Sequence, residues 1–225
     1  MLIVLCVLIS LKRTAFIASI LAITFYFIIE YKIKNKTMPK KMYLLFVMVF
    51  IAIASYWMYN YTTTVFDLDI IARLSNLHHD GGSNRNIIYQ EVWLAIKDTP
   101  FIERFFGHGF NGVYLTGITT TSAHNDFLEV LYDYGIVGFS LYIMFIISLI
   151  NYNIKMYRHS YASTASFAAS IVLFLVLSMT SHLIIYSTYF MYLLLYWGIK
   201  IQDYQGLARV HRVSLYNTSE SKEVI

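Results

Sequence analysis

The chain has 225 residues, of which 58% are hydrophobic, 17% aromatic and only 13% charged, with a net charge of +4. A soluble domain carries about 25% charged residues, so this composition excludes a disordered chain and argues strongly against a soluble globule, whose surface needs charge to cover it. The single cysteine, Cys6, excludes an intrachain disulfide framework and a cysteine-based zinc site, and the pI near 9.0 comes without the basic, aromatic-interleaved patch that a nucleic-acid partner requires.

In chain order, apolar runs cover approximately 1–11, 15–29, 43–59, 134–150, 165–179 and 183–199. A spanning helix needs about 20 residues, a length the last five reach once their flanking Thr, Ser, Tyr and Lys are counted. The first run is too short to span alone. Lys12 and Arg13 follow it, which is the wrong end for the charge of a signal peptide, so it reads as the tail of a helix that begins upstream or as a chain that starts late. The expected fold is all-α, a polytopic membrane helix bundle of five to six spans. Residues 1–201 form one transmembrane domain and 202–225 a cytoplasmic tail. Lys32, Lys34, Lys36, Lys40 and Lys41, then Lys155 and Arg158, then Lys200, Arg209, Arg212 and Lys222 fall on one side of an alternating topology. The positive-inside rule makes that side cytoplasmic. The segment of about 60–126 then faces outward, as do Lys12 and Arg13, against the rule. Neither proline, Pro39 or Pro100, interrupts a span, and no span carries an Asp, Glu, Lys or Arg at its middle. A transporter's commonest marker is therefore missing.

The outward segment holds six of the ten glycines: Gly81, Gly82, Gly107, Gly109, Gly112 and Gly117. Ile88, Val92 and Ile96 recur every four residues beside Tyr89 and Trp93, the pattern of an amphipathic helix. Asn84 or Asn86 can start it, and Asp98-Thr99-Pro100 ends it. Gly107-His108-Gly109 reads as a flexible turn. Asp126 and Glu129 stand three apart before an apolar run, the spacing of a capping box with Asp126 as the cap. His124 then precedes a helix N-terminus, whose positive end disfavours imidazolium and keeps the ring neutral, as a general base requires. A loop histidine that only makes hydrogen bonds would satisfy the same spacing.

Ser10-Leu11-Lys12-Arg13-Thr14 at a helix end, Arg85 opening a helix with an aromatic residue four positions on, Gly107-x-Gly109, and His124-Asn125 followed by Tyr134-Gly135-Ile136-x-Gly138 together resemble the O-antigen ligase and Wzy-type polymerase family. The resemblance extends from about Ser10 to Ile199, and the His-Asn pair with its Gly-Ile-x-Gly helix is its most specific part. Ser83-Asn84 stand where Ser-Gly is common and Tyr89 where Trp is usual. The chain is similar to the C-terminal half of such enzymes, which usually have ten or more spans and belong to the GT-C-like glycosyltransferases.

The resemblance implies a glycosyltransferase that takes glycan from undecaprenyl pyrophosphate on the outer face of a bacterial inner membrane. Arg13 and Arg85 match the family's functional arginines, with Lys12 sharing the phosphate role. His124 matches the histidine proposed to take the acceptor hydroxyl's proton, and Asn125 and Tyr89 are expected to bind substrate. Departure of a diphosphate needs its charge stabilised by a metal or by fixed cations. Asp67, Asp69 and Asp80 are scattered, so metal-independent chemistry with arginine in the cation's place is expected, without cofactor. Implied partners are the lipid-linked oligosaccharide, the bilayer, and a chain-length regulator or other polysaccharide-assembly proteins.

Structural readings stand beside these. Arg13 could snorkel at the interface next to Lys12, Arg85 could be a solvated loop charge, and His78-His79-Asp80 could bind a metal but reads better as exposed loop. Polymerase is preferred to ligase, with a flippase or a non-catalytic membrane fragment as the alternatives from other classes.

Overall fold

A computed structural model describes residues 13–34, 85–184 and 187–223. The described residues contain seven helices: α1 (Arg13–Lys34), α2 (Arg85–Asp98), α3 (Phe101–Phe106), α4 (Gly112–Leu115), α5 (Asp126–Arg158), α6 (Thr164–Thr180) and α7 (Ser187–Glu223). The runs expected at 1–11 and 43–59, and the histidines His78 and His79, lie outside them. No strand occurs among the described residues.

Helix α5 has 33 residues and is the one described helix long and apolar enough to cross a membrane. Gly135 kinks it, at φ 63° and ψ −166°. Beyond the kink, 136–158 rises about 35 Å at 1.5 Å per residue, enough for a hydrocarbon core about 30 Å thick. Leu141, Met144 and Ile147 are exposed on this stretch, while Tyr142, Ile146, Leu149 and Met156 are buried. That division suits one face toward lipid and one toward protein.

The buried face meets Phe167, Ile171 and Phe174 of the shorter apolar helix α6 and Trp197 and Tyr204 of α7. Polar groups fasten this core. Trp197 Nε1 donates to Ser170 Oγ at 2.8 Å and Tyr196 donates to Ser166 Oγ at 2.9 Å. In a bilayer, where apolar burial drives helix association weakly, such bonds and small residues hold helices together. Helix α1 packs along α6, with Ala18 and Ala22 of α1 and Ala165 and Ala168 of α6 buried.

A second, smaller core sits before the kink. Val92 of α2, Val113 of α4, Ala123 and Tyr132 are buried together, with Ile88 and Ile96 packed against them. The four-residue apolar spacing expected for α2 thus faces this core, and Trp93 and Leu94 are exposed on its other side.

Three buried carboxylates on the first two turns of α5 tie this cap to the bundle. Asp126 accepts from the backbone N–H of Leu183 at 3.0 Å and of Ile184 at 3.3 Å. Glu129 Oε2 accepts from Ala123 N–H at 2.8 Å. Asp133 accepts from the backbone N–H groups that open α4, including Val113 at 3.3 Å. Each carboxylate supplies an acceptor to loop donors that no helix satisfies. The capping expectation is corrected by one residue: Asn125, not Asp126, caps α5, its Oδ1 accepting from Phe127 N–H at 3.0 Å and Leu128 N–H at 3.3 Å. Asp126 is the first helical residue and turns toward the α6–α7 connection instead.

Gly107-His108-Gly109 is no flexible turn. His108 N–H donates to Tyr132 O at 3.2 Å and Gly109 N–H to Asp133 O at 2.8 Å, filling carbonyls that the kink leaves open. The His108 ring stacks on Tyr132 with centroids 4.0 Å apart. The chain after α3 therefore lies directly on the backbone of α5.

Candidate active site ahead of the kinked helix

Asn125 caps α5, and the residue before it, His124, adopts a left-handed backbone with φ 52°. Histidine is among the residues that tolerate this conformation. The His124 side chain is partly buried. Arg85 and Tyr89 are one turn apart on α2 and share a face. Arg85 Nη1 donates to the carbonyl of Thr180 at 2.5 Å. The Tyr89 hydroxyl lies 3.2 Å from the carbonyl of His124 and 3.4 Å from that of Met179, and it also reaches the Asn125 side chain. The last carbonyls of a helix lack intrahelical partners and carry its negative end, so the end of α6 is a natural seat for a cation. A guanidinium has five N–H donors, and the bond to Thr180 uses one.

The expected residues Arg85, Tyr89, His124 and Asn125 thus come together. Lys12 lies outside the described residues, and of Arg13 only the backbone is described, at the start of α1. The spacing expectations did not include His182, in the α6–α7 connection. Its ring centroid is 4.5 Å from that of His124, tilted by 36°, and its Nδ1 shares a 2.8 Å hydrogen bond with Ser122 Oγ. A signal for it existed: Ser181-His182 is a polar break between two apolar runs, on the side of the expected topology that carries His124.

Burial is the main cause, and the nearby Arg85 charge the second, of a His124 pKa held below its ordinary 6.5. Burial likewise raises the Tyr89 hydroxyl, partly offset by Arg85 and Asn125. Neutral imidazole is thus favoured at pH 7, which leaves a nitrogen lone pair able to take a proton. Because the folded value is depressed, the stability this ring contributes is present above its unfolded pKa and is lost as pH falls through the folded one. NMR titration of labelled histidine should find the His124 midpoint below 6.5. In Arg85→Gln that midpoint should rise yet stay depressed, because burial remains; a midpoint at or above the ordinary value in the unaltered chain would contradict the geometry.

Among the described residues no group of three His, Cys, Asp or Glu side chains is arranged to hold a metal. A separate groove of about 310 Å³ opens between α2, α3 and α5, lined by Trp93, Lys97, Glu103, Arg104, His108 and Tyr132 among others. None of Arg85, Tyr89, His124 and Asn125 lines it.

The described residues are all helical, with one bilayer-length helix and a histidine–arginine cluster just before it, an architecture compatible with a membrane helical protein. The family model Wzy_C, described as O-antigen ligase, matches residues 1–143, and the chain belongs to that family. The match covers the cluster and the first part of α5; α6, α7 and His182 lie beyond it. No curated protein and no solved structure matches the chain.

Proposed function

We propose that the chain is a metal-independent glycosyltransferase that extends glycan carried on undecaprenyl pyrophosphate, as a polymerase of O-antigen or capsular repeat units at the outer face of the bacterial inner membrane. The observation that carries this reading is that His124 and Arg85 share one small site, joined by Tyr89 and the end of α6, in which burial and the Arg85 charge hold the His124 pKa below its ordinary value. His124 takes the proton from the acceptor sugar's hydroxyl, and that oxygen attacks the anomeric carbon of the donor. The bond from that carbon to the diphosphate breaks, with inversion, and the negative charge passes to the leaving undecaprenyl pyrophosphate. Arg85, with Arg13 and Lys12, meets that charge, since guanidinium grips phosphate oxygens by paired hydrogen bonds and stays protonated. Asn125 and Tyr89 hold sugar hydroxyls. The transmembrane domain of 1–201 keeps the isoprenoid tail in the bilayer, and a chain-length regulator is the natural partner of a polymerase.

The family description favours a second reading, ligation of finished glycan to lipid A core. Cells that lack their own polymerase and ligase, and carry this chain, separate the two. A polymerase lengthens carrier-linked glycan into a ladder; a ligase moves single repeat units onto lipid A core and leaves carrier-linked glycan one unit long. Carrier-linked and core-linked glycan that both stay unchanged would contradict the transferase reading itself.

A further inference from the structure

We infer that His182 is a positioning residue for His124, and that the 179–184 segment forms one wall of the catalytic site. The inference rests on the reading of His124 as general base. Four separate contacts converge on this short segment: Arg85 on the carbonyl of Thr180, Tyr89 on that of Met179, Ser122 on the His182 ring, and Asp126 on the N–H groups of Leu183 and Ile184. These contacts come from α2, from the loop before α5 and from α5 itself, so the segment joins every described part of the site. The Asp126 carboxylate fixes the backbone just after His182, and Ser122 fixes its ring.

The ring so held lies against His124, centroids 4.5 Å apart. A base must keep its accepting nitrogen within hydrogen-bond reach of the acceptor hydroxyl, and a displacement of about 1 Å costs on the order of 100-fold in rate. His124 stands on a left-handed turn, and its backbone carbonyl is held by Tyr89. Its ring packs against that of His182, which thereby bears on its orientation.

The test measures initial rates in membranes containing the chain, with the host's undecaprenyl-pyrophosphate-linked repeat unit as substrate. His182→Ala should lower kcat about 10- to 100-fold with KM little changed. Ser122→Ala, which removes one hydrogen bond to the ring and keeps the ring itself, should lower kcat about 5-fold. His182→Phe keeps a ring against His124 but loses the bond to Ser122, and should resemble Ser122→Ala rather than His182→Ala. The double variant should be no worse than His182→Ala, since both act through one contact. A wild-type kcat in His182→Ala, a loss confined to KM, or fully additive losses would overturn the inference. Should His182→Ala fail to accumulate in the membrane, Ser122→Ala and His182→Phe decide by the same criteria. His124→Gln in the same assay separates the two levels: its retained activity would refute the general-base reading, whereas its loss beside wild-type His182 variants would refute only the positioning role.

Discussion

Replacing His124 by Gln should lower the rate of glycan transfer by about 10²–10⁴, the usual worth of a positioned general base, while the protein stays folded in the membrane. Gln keeps the size and polarity of the side chain but has no lone-pair nitrogen to accept a proton at neutral pH. The His124 backbone is held by Tyr89 through its carbonyl and by the cap that follows it, so the loop should keep its shape. His159→Gln is the matching control. That histidine caps the far end of α5 and contacts Tyr204, and its loss should leave the rate near wild type. Equal rates for both variants would remove His124 from the chemistry.

The largest effect on folding is expected at Gly135. Its backbone, at φ 63° and ψ −166°, lies in a region that is essentially glycine-only and costs other residues about 1–3 kcal/mol. A Cβ there would also stand 2.4 Å from the Phe105 carbonyl and 2.7 Å from Gly107 N, so backbone rather than a movable side chain must give way. Gly107 presents the same problem from the other side, where a Cβ would meet the carbonyl of Asp133 at 2.2 Å. The two glycines let the chain after α3 touch the kink, and the cap that holds Arg85 and His124 stands on that contact. Gly135→Ala should therefore lose about 3 kcal/mol or more of stability, read as thermal unfolding of the detergent-solubilised protein. Gly198→Ala, where a Cβ meets nothing within 4 Å, should be neutral or slightly stabilising, because alanine favours helix. Equal stability for the two variants would contradict the kink's role.

Much of the described helical framework was legible in periodicity and hydropathy. The four-residue spacing of Ile88, Val92 and Ile96 marked α2, and the apolar runs marked α1, α5 and α6, because helix period and bilayer length leave local signatures. The residues Arg85, Tyr89, His124 and Asn125 were singled out as a set through resemblance, and the fold brings them close together. What stayed hidden depends on contacts between distant parts of the chain. Gly107-x-Gly109 looks like any loose turn until it meets the kink at Gly135. Asp126 and Glu129 fit a capping box by spacing, yet Asp126 serves a loop 57 residues away. Asn125, one residue earlier, takes the cap, its Oδ1 accepting from the N–H groups of Phe127 and Leu128. His182 lies beyond the matched part of the family model and had no motif to mark it.

Membranes bearing the wild-type chain, Arg85→Gln and His124→Gln, supplied with lipid-linked glycan, test the central claim most directly when the release of undecaprenyl pyrophosphate is measured. The site predicts release coupled to glycan transfer in the wild type and its loss, by about two orders of magnitude or more, in both variants. Equal release from all three would contradict it.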